Sequence, residues 1–509
     1  MYIGDYARIR PDHPAVIDAS TGEKLSYRDL DERSNRLARL LRAEGLRRGD
    51  TIALFMENNL RFLEVAWAAL RSGLYLTAIN RYLTADEAAY IIDDCDARVL
   101  VSSAARADVA AALPERLASC RRFLMTDGAI PGWECYEQAV AAFPADPLPD
   151  ERAGELMLYS SGTTGRPKGV KRILRDVHPS DDTLLAQVLQ DYGFVPETVY
   201  LSPAPMYHAA PLAFSLLVQR TGGTVLMMRR FDPAEALALI ERYRVTHSQW
   251  VPTMFVRLLR LEPAERARDL SSHRRAIHAA APCPVEVKRA MIDWWGPIID
   301  EYYGATEGNG RTAISCAEWL ERPGSVGQAR LGIIHICDEV GAELPVSERG
   351  LVYFERDILP FAYHKDPERT RAAQHPDHPG WSTLGDVGYV DDAGYLFLTD
   401  RKAFMIISGG VNIYPREIED VLVTHPKVRD VAVFGVPDAE MGERVVAVVE
   451  PMAEPDPALA AELMDHAARH LARYKLPKLI EFTDALPRLP TGKLYKKTLR
   501  DEYLARLGA

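Results

Sequence analysis

Hydrophobic residues recur along the first part of the chain with two different spacings. A capping box at residues 26–29 begins a predicted helix whose leucines share one face. Continuous apolar runs predict buried strands at 51–56 and 98–102, and the pattern at 60–72 predicts a helix between them. This alternation indicates β-sheets covered by helices.

The same alternation continues through the middle of the chain. Short apolar runs predict strands at 199–201, 224–228 and 298–303. Helical spacing predicts helices at 234–243 and 285–294. The fold class that we expect is therefore α/β, with mixed or parallel sheets covered by helices.

The pattern changes after about residue 381. The turn at 391–394 lies between two β-rich runs, which is typical of a hairpin. Beyond it, a shorter alternation of helices and strands begins. We place a domain boundary near residue 400, which predicts a large N-terminal domain at 1–400 and a small α+β C-terminal domain at 401–509.

Composition and charge exclude several classes of protein. The 509 residues are 47% hydrophobic and 26% charged, which is typical of a folded globular chain. The net charge of −11 offers no general attraction for nucleic acid, and we expect no nucleic-acid partner. The six cysteines include no CxxC pair, which favours reduced thiols in a cytoplasmic protein over disulfides or zinc ligands. Apolar runs stay shorter than the roughly 18 residues of a spanning helix, so we expect no integral membrane segment.

The most informative segment is the glycine- and hydroxyl-rich stretch at 156–169. A short apolar strand leads into three glycines, four hydroxyl side chains and a single lysine, Lys168. Glycines let backbone N–H groups approach an anion closely, hydroxyls donate further hydrogen bonds, and a lysine supplies positive charge. The composition predicts a polyphosphate site, although its spacing is not that of the Walker motif.

This segment and the motifs after it resemble the adenylate-forming superfamily, which comprises acyl-CoA synthetases, 4-coumarate–CoA ligases, luciferases and peptide-synthetase adenylation domains. The later motifs follow the order of that family and lie at 303–307, 382–388, 399–401, 409–419 and 490–493. The resemblance covers nearly the whole chain and points to the acyl-CoA ligase branch. It implies a large N-terminal domain of mixed sheets and a small mobile C-terminal domain.

The resemblance also implies a reaction in two steps. The carboxylate of an organic acid attacks the α-phosphate of ATP to give an acyl-adenylate and pyrophosphate, and the thiol of CoA then displaces AMP. Neither step needs a protein nucleophile, so the protein must align the reactants and stabilise charge on phosphoryl oxygens. The expected cofactors are ATP, Mg²⁺ and coenzyme A, and the expected partner is a small-molecule carboxylic acid.

Individual residues receive roles from the same resemblance. Thr306 would bond the α-phosphate, and Glu307 would ligate the Mg²⁺ that bridges phosphate oxygens. Tyr303 would offer a flat face to adenine, while Asp386 and Arg401 would contact the ribose. The β- and γ-phosphates would be held by Ser160, Ser161, Gly162, Thr163, Thr164 and Lys168.

The C-terminal domain would supply two further groups. Lys493 resembles the adenylation lysine of the family, whose ammonium group would meet both the carboxylate and the α-phosphate. The loop with Gly409 and Gly410 would face the pantetheine arm of CoA after the domain rotates about a hinge. Ala403 occupies the hinge position, where Asp or Lys is common in the family, but a hinge needs only a backbone that absorbs large φ/ψ changes.

The acyl pocket is expected to be lined by aromatic, imidazole and small side chains. These residues are Tyr207, His208, Trp250, Ala280, Ala281 and Gly304. No Asp lies beside Tyr207 to pair a substrate ammonium group, which disfavours an amino acid. The lining favours an apolar acid: a fatty acid, an arylpropenoate such as coumarate, or a steroid side-chain acid. His208 would gate the pocket or bond the carboxylate and is counted with Lys493, Thr306 and Glu307 as a predicted catalytic residue, although a structural role is equally consistent with its position.

Two alternatives stay open at this stage. An acyl-AMP ligase that loads a carrier protein would share these motifs, but no carrier domain is fused and no large insertion separates Arg401 from Gly409, so CoA is favoured. A non-catalytic nucleotide-binding scaffold would not need to keep the charge of Lys493. Whether the protein forms a homodimer is also left open.

Overall fold

Three β-sheets organise the chain in the computed structural model. The structure describes residues 1–160, 167–181, 188, 191–401, 404–408, 411–438, 441–488, 494 and 496–507. The strands of the two larger sheets end by residue 401, and the third sheet begins at Ile406.

The first sheet joins thirteen strands of the described chain and is mixed. Six neighbouring strands run parallel: Pro14–Asp18, Thr224–Met227, Val199–Ser202, His247–Trp250, Arg275–His278 and Ile299–Gly304. Antiparallel strands extend it on both sides: Lys24–Ser26 at one edge, and Arg311–Ile314, Ser325–Leu331, Leu396–Arg401, Trp381–Val390, Gly350–Glu355 and Ile333–Cys337 towards the other.

The second sheet has a parallel centre and an antiparallel edge. The parallel strands are Glu155–Ser160, Tyr75–Ala78, Thr51–Phe55, Ala97–Ser103, Arg122–Thr126 and Glu134–Cys135. The edge is formed by Lys168–Arg172 and then Phe361–Tyr363. Thr51–Phe55 is buried along its whole length, which explains its continuous apolar sequence.

Helices cover the two larger sheets. In the described chain they are Ile3–Ile9, Tyr27–Ala43, Leu60–Arg71, Ala85–Asp94, Ala107–Ala110, Tyr136–Ala141, Ala209–Arg220, Pro233–Tyr243, Pro252–Leu259, Pro263–Arg266, Val285–Trp295, Cys316–Glu321 and Pro367–Ala372, with three further helices, Pro415–Leu422, Leu459–His470 and Lys496–Leu507, beside the third sheet. Among the described helices, each is too short or too polar to cross a bilayer.

The elements predicted from the sequence are present with small shifts at their ends. The capping box forms as predicted, because Ser26 accepts a hydrogen bond from the Asp29 backbone N–H at 3.1 Å and Asp29 accepts one from the Ser26 N–H at 2.9 Å. The hairpin turn at 391–394 joins two antiparallel strands, and Gly394 takes the left-handed backbone conformation at φ +79°. The prediction of mixed sheets covered by helices is confirmed.

The third sheet packs its own two hydrophobic cores. Its strands are Val411–Ile413, Ile406–Ser408, Gly442–Pro451, Val428–Asp438 and Leu479–Phe482. One core lies against the helices Pro415–Leu422 and Leu459–His470, and the other against Lys496–Leu507. Polar contacts join this part to the preceding residues: the Arg260 guanidinium donates to the Val428 carbonyl at 2.8 Å, the Arg416 backbone N–H donates to Asp400 at 3.2 Å, and Arg349 pairs with Glu417 at 3.6 Å. The domain boundary near residue 400 stays a prediction.

The parallel strands bring the predicted site segments to one edge of the first sheet. Three of these strands end just before the segments that contain Tyr207, Ala280 and Thr306. In the second sheet, Glu155–Ser160 likewise ends where the glycine-rich stretch begins. Ligands of open α/β sheets bind outside the carboxyl ends of the strands, so this edge is where a site is expected.

A buried ion pair joins the helix Val285–Trp295 to the strand Ile299–Gly304. The Lys288 ammonium, fully buried, donates to a Glu301 carboxylate oxygen at 2.7 Å and lies 4.7 Å from the Trp319 ring centre. Burial alone would raise the pKa of Glu301, but His278 and Lys288 lower it to about 2. Glu301 lies two residues before Tyr303, so the pair anchors the strand that carries the site.

We predict that Lys288→Met destabilises the protein by about 3–5 kcal/mol at pH 7, because it leaves a buried carboxylate without its cation. The measurement is the free energy of unfolding by chemical denaturation. The folded pKa of about 2 lies below the ordinary value of 4.5, so in the unmodified protein the contribution of Glu301 persists above pH 4.5 and is lost as the pH falls towards 2.

The matched control is the double variant Lys288→Met, Glu301→Gln, which removes both charges. We expect it to recover most of the lost stability. A double variant as unstable as Lys288→Met would show that packing, and not the unpaired charge, causes the loss.

Candidate active site

Several predicted site residues lie outside the described residues. They are Ser161, Gly162, Thr163, Thr164, Ala403, Gly409, Gly410 and Lys493, together with the side chains of Ser160 and Arg401. Their roles stay predictions. The other predicted residues can be located, and all of them except Trp250 lie at or next to the carboxyl edge described above.

Lys168 lies at the start of the strand that follows the glycine-rich stretch. Its ammonium group is 3.0 Å from a carboxylate oxygen of Asp366. Asp366 also caps the helix Pro367–Ala372, since it accepts a hydrogen bond from the Arg369 backbone N–H at 3.1 Å. These two bonds, first that of the Arg369 N–H and then that of Lys168, lower the pKa of Asp366 and keep it ionised. Asp366 was missed by the sequence analysis, because its contact with Lys168 depends on how distant strands pair.

Glu307 is buried and joins the two larger sheets. Its Oε1 accepts a hydrogen bond from the Tyr363 hydroxyl at 2.9 Å. Tyr363 belongs to the edge strand that pairs with Lys168–Arg172, so Lys168 and Glu307 are carried to the same junction. Burial, and then the Glu307 charge, raises the pKa of Tyr363, which therefore remains a neutral donor.

The chemistry around Glu307 suits Mg²⁺. The described residues contain no group of three or more side chains that could hold a metal by themselves. Mg²⁺ in nucleotide-binding enzymes is commonly bound through one or two carboxylates together with substrate phosphates. A single buried carboxylate beside a predicted phosphate loop fits that pattern.

Thr306 follows the strand Ile299–Gly304 in a turn fixed by Arg172. The Arg172 guanidinium donates to the Thr306 carbonyl at 2.9 Å and lies close to Gly308. Gly308 has φ +66°, a backbone conformation that residues other than glycine rarely adopt. Arg172 therefore positions the predicted α-phosphate contact, a role that the sequence analysis did not assign to it.

Tyr303 and Asp386 form a direct contact. The Tyr303 hydroxyl donates to the Asp386 carboxylate at 2.6 Å, and Asp386 is 7% exposed. In the antiparallel pair of strands, Asp386 lies opposite Arg401. The structure thus brings together the three residues predicted to contact the nucleoside.

The predicted acyl segments are partly assembled at the same edge. The Tyr207 and His208 rings lie 4.2 Å apart at their centres, and the buried Tyr207 hydroxyl finds no hydrogen-bond partner within the described ranges. Ala280 has φ +74°, which is strained for alanine, and Ala281 follows it in the same loop. Such strain is typical of loops at functional sites.

Trp250, also predicted as a pocket residue, lies on the other face of the sheet from this group. Side chains alternate along a strand, and the register places Trp250 and Glu301 on one face and Gln249 and Gly304 on the other. Trp250 is 1% exposed and packs in the core beneath the sheet, where its indole N–H donates to Ser248 at 2.6 Å. Its neighbour Gln249 faces the Gly304 side.

Comparison with known proteins gives a consistent result. The profile of the AMP-binding enzymes matches residues 5–359, and the profile of the AMP-binding enzyme C-terminal domain matches 417–493. The long-chain-fatty-acid–CoA ligase FadD13 of Mycobacterium tuberculosis is 31% identical over 506 residues, covering 98% of this chain and 97% of the relative. A feruloyl-CoA synthase from an Amycolatopsis species is 33% identical over 504 residues, with 98% and 97% covered.

A solved structure extends the likeness to the whole fold. ATP-bound MatB from Rhodopseudomonas palustris aligns with a TM-score of 0.83 at 30% identity, covering 99% of each chain. The expected architecture, a large part with mixed sheets and helices followed by a small C-terminal part, is confirmed.

We predict that Asp366→Asn tightens the binding of ATP in the presence of Mg²⁺ by up to about fivefold. The Asp366 carboxylate competes with phosphate for Lys168, and a partly exposed ion pair of this kind is worth about 0.2–1 kcal/mol. Asparagine caps a helix about as well as aspartate, so the helix Pro367–Ala372 is preserved. The measurement is equilibrium binding of ATP.

Asp366→Ala serves as the comparison, because it removes both the charge and the cap. Of the two variants, we expect only Asp366→Ala to lower the free energy of unfolding. Weaker ATP binding by Asp366→Asn would mean that Asp366 holds Lys168 in its productive position.

Proposed function

The chain belongs to the AMP-binding enzymes, in the acyl-CoA ligase branch of the adenylate-forming superfamily, and on this premise we propose how its residues join an organic acid to coenzyme A. As an AMP-forming acid–thiol ligase, it converts a carboxylic acid and ATP into acyl-AMP and pyrophosphate. CoA then yields acyl-CoA and AMP. The observation that carries the assignment of residues is the convergence of Lys168, Glu307 and the Tyr303–Asp386 pair around the turn after Gly304.

The nucleoside of ATP binds beside Tyr303. The Asp386 carboxylate accepts hydrogen bonds from the ribose hydroxyls, and Arg401, opposite Asp386 in the strand pair, donates to the same sugar. The Tyr303 hydroxyl already donates to Asp386, which fixes the carboxylate and leaves the tyrosine ring as a surface for adenine.

The phosphates lie between the two larger sheets. Backbone N–H groups and hydroxyls of the loop that includes Ser160, Ser161, Gly162, Thr163 and Thr164 hold the β- and γ-phosphates, and Lys168 leaves Asp366 to join them. Glu307, fixed by Tyr363, would hold Mg²⁺, which when bound neutralises charge on the phosphate oxygens. Thr306 bonds the α-phosphate from a turn that Arg172 supports.

The first chemical step joins two anions that repel one another. Lys493 contributes an ammonium group to both the acid carboxylate and the α-phosphate, so that attack in line with the departing pyrophosphate becomes favourable. His208, packed on Tyr207 at the start of the helix Ala209–Arg220, orients the carboxylate.

The second step uses a different face of the C-terminal part. We propose that 401–509 is a mobile domain on the body 1–400, with Ala403 at the hinge. After rotation, the loop with Gly409 and Gly410 contacts the pantetheine arm of CoA. The Arg260–Val428 and Asp400–Arg416 contacts belong to the present arrangement and must break for the domain to turn.

The substrate is an apolar acid, and the relatives leave its skeleton open. A long-chain fatty acid–CoA ligase and a feruloyl-CoA synthase are similar to this chain to nearly the same degree, at 31% and 33% identity.

The cytoplasm is the proposed location, since the six cysteines are free thiols and five of them are buried, as expected in a reducing compartment.

The experiment that tests the function offers the purified protein ATP, Mg²⁺, CoA and a panel of fatty, aryl and steroid acids. We expect AMP, pyrophosphate and an acyl-CoA from at least one acid. An acyl-adenylate that passes only to a carrier protein would identify the alternative acceptor, and the absence of any adenylate would leave only a nucleotide-binding scaffold.

We predict that Lys493→Ala lowers the rate of adenylate formation by about 10²–10³-fold, because one preorganised charge is lost from the transition state. The variant should still convert synthetic acyl-AMP and CoA into acyl-CoA. The measurements are pyrophosphate release for the first step and thioester formation for the second.

Lys497→Ala is the matched control. Lys497 lies nearby in the sequence, is half exposed and pairs only with Asp501 at 2.9 Å among the described contacts. We expect both half-reactions to remain at the unmodified rate. Normal pyrophosphate release by Lys493→Ala would contradict the assignment of that lysine.

A further inference from the structure

Several buried side chains have hydrogen-bond donors without a partner in the described part of the chain, and two of these donors lie close to one another near the predicted acyl pocket. These two are the Tyr192 hydroxyl and the Nη1 group of Arg311. Tyr192 is 2% exposed and the Arg311 side chain 13%. Buried donors are nearly always satisfied in folded proteins, because an unmade hydrogen bond in a dry interior is unfavourable. Two such donors near a predicted acyl pocket call for a ligand.

Both donors lie on the Gly304 face of the first sheet. Arg311 is directly opposite Gly304 in the antiparallel strand pair, and Tyr302 lies two residues before Gly304, so all three share a face. The Tyr302 ring stacks on the Phe214 ring, with 5.6 Å between the ring centres. The centre of the Tyr192 ring lies 5.7 Å from that of Phe214. We call Tyr192, Tyr302 and Arg311 the distal donor cluster.

The distal donor cluster is continuous with the predicted acyl pocket. Phe214 belongs to the helix Ala209–Arg220, which begins directly after His208. At Gly304, an added Cβ would meet the Gly310 carbonyl oxygen at 3.5 Å and the Arg311 Cγ at 3.7 Å, which are ordinary contact distances. The backbone of Gly304 is therefore not covered tightly from this side, and Arg311 stands next to it.

The cluster offers donors to a neutral acceptor. The Gln249 side-chain N–H donates to the Tyr302 oxygen at 3.1 Å, so the Tyr302 hydrogen remains to be donated. Burial raises the pKa of Tyr192 and Tyr302, and the opposing effect of the Arg311 charge on both phenols is smaller, so both keep their protons. The other terminal nitrogen of Arg311 pairs with Asp191, which neutralises the guanidinium charge. A neutral oxygen suits this arrangement better than a second carboxylate.

We propose that the distal donor cluster binds a neutral oxygen at the far end of the carboxylic acid, so that the preferred substrate carries a distal hydroxyl, ether or ketone. The inference rests on the proposed function, because it takes the Gly304 face as the acyl site. A plain hydrocarbon end would leave these donors unsatisfied, and a site built to bond an oxygen rejects the analogue that lacks it.

The test compares acids in matched pairs that differ by one oxygen. One pair is 4-hydroxycinnamate and cinnamate, and the other is 10-hydroxydecanoate and decanoate, so that the skeleton and the oxygen are varied separately. The measurement is kcat/KM for AMP formation with ATP, Mg²⁺ and CoA. We expect the oxygen-bearing member of at least one pair to be preferred about tenfold.

Two variants assign the preference to the cluster. Tyr192→Phe removes only the hydroxyl, and Arg311→Lys keeps a cation beside Asp191 while removing Nη1. We expect each variant to bring the ratio of kcat/KM between the two acids of a pair close to one. Tyr192→Phe should unfold at the same denaturant concentration as the unmodified protein, because the Tyr192 hydroxyl bonds to no described residue. Tyr503→Phe, in the helix Lys496–Leu507, is the matched control and should keep the preference.

Equal kcat/KM within both pairs, with thioester still formed, would overturn the inference and leave the proposed function standing. A preference that survives both Tyr192→Phe and Arg311→Lys would also overturn it. The absence of AMP with every acid would instead refute the proposed function, and the inference with it.

Discussion

The candidate site depends on the meeting of two β-sheets at one hydrogen bond. The Tyr363 hydroxyl, at the edge of the second sheet, donates to the buried carboxylate of Glu307 in the first. The strand that carries Tyr363 also pairs with the strand that begins at Lys168, so the same contact sets the distance between a cation for phosphate and an anion for a metal. Catalysis by positioning requires reacting groups to be held to within about 1 Å. A shared junction between two rigid sheets provides that precision better than a loop could.

Buried ion pairs connect helices that cover the two larger sheets to their neighbours. The Lys288–Glu301 pair joins the helix Val285–Trp295 to the first sheet, two residues before Tyr303, and a second buried cation, Arg71, joins the helix Leu60–Arg71 to Asp31 and Glu151. A buried pair contributes little net stability, but breaking it is expensive. Such pairs therefore fix how a helix packs on its neighbours more than they strengthen the fold, and in the first sheet this packing holds the strand that carries Tyr303.

Local patterns in the sequence predicted the elements and the motifs well, but not which face each residue occupies. The capping box at Ser26 and the turn before Gly394 depend on neighbouring residues alone, and both are formed. Trp250 was placed in the pocket because aromatic residues favour apolar ligands. The alternation of side chains along its strand instead turns it into the core and presents Gln249. Asp366 and Arg172 could not have been found, because their partners are distant in the chain and meet only through sheet pairing.

The same reasoning explains why the side chains that select the acid belong to none of the motifs. The motifs bind ATP, which is the same molecule for all relatives, so they can be recognised as short stretches of sequence. The acid varies between relatives, and its far end meets residues gathered from separate segments: Tyr192, Tyr302 and Arg311. Asp191 cancels the charge of Arg311 without using all of its donors, which leaves hydrogen bonding as the remaining means of selection. Selection by an unsatisfied donor is sharp because the penalty falls on every ligand that lacks the acceptor, whatever its apolar surface.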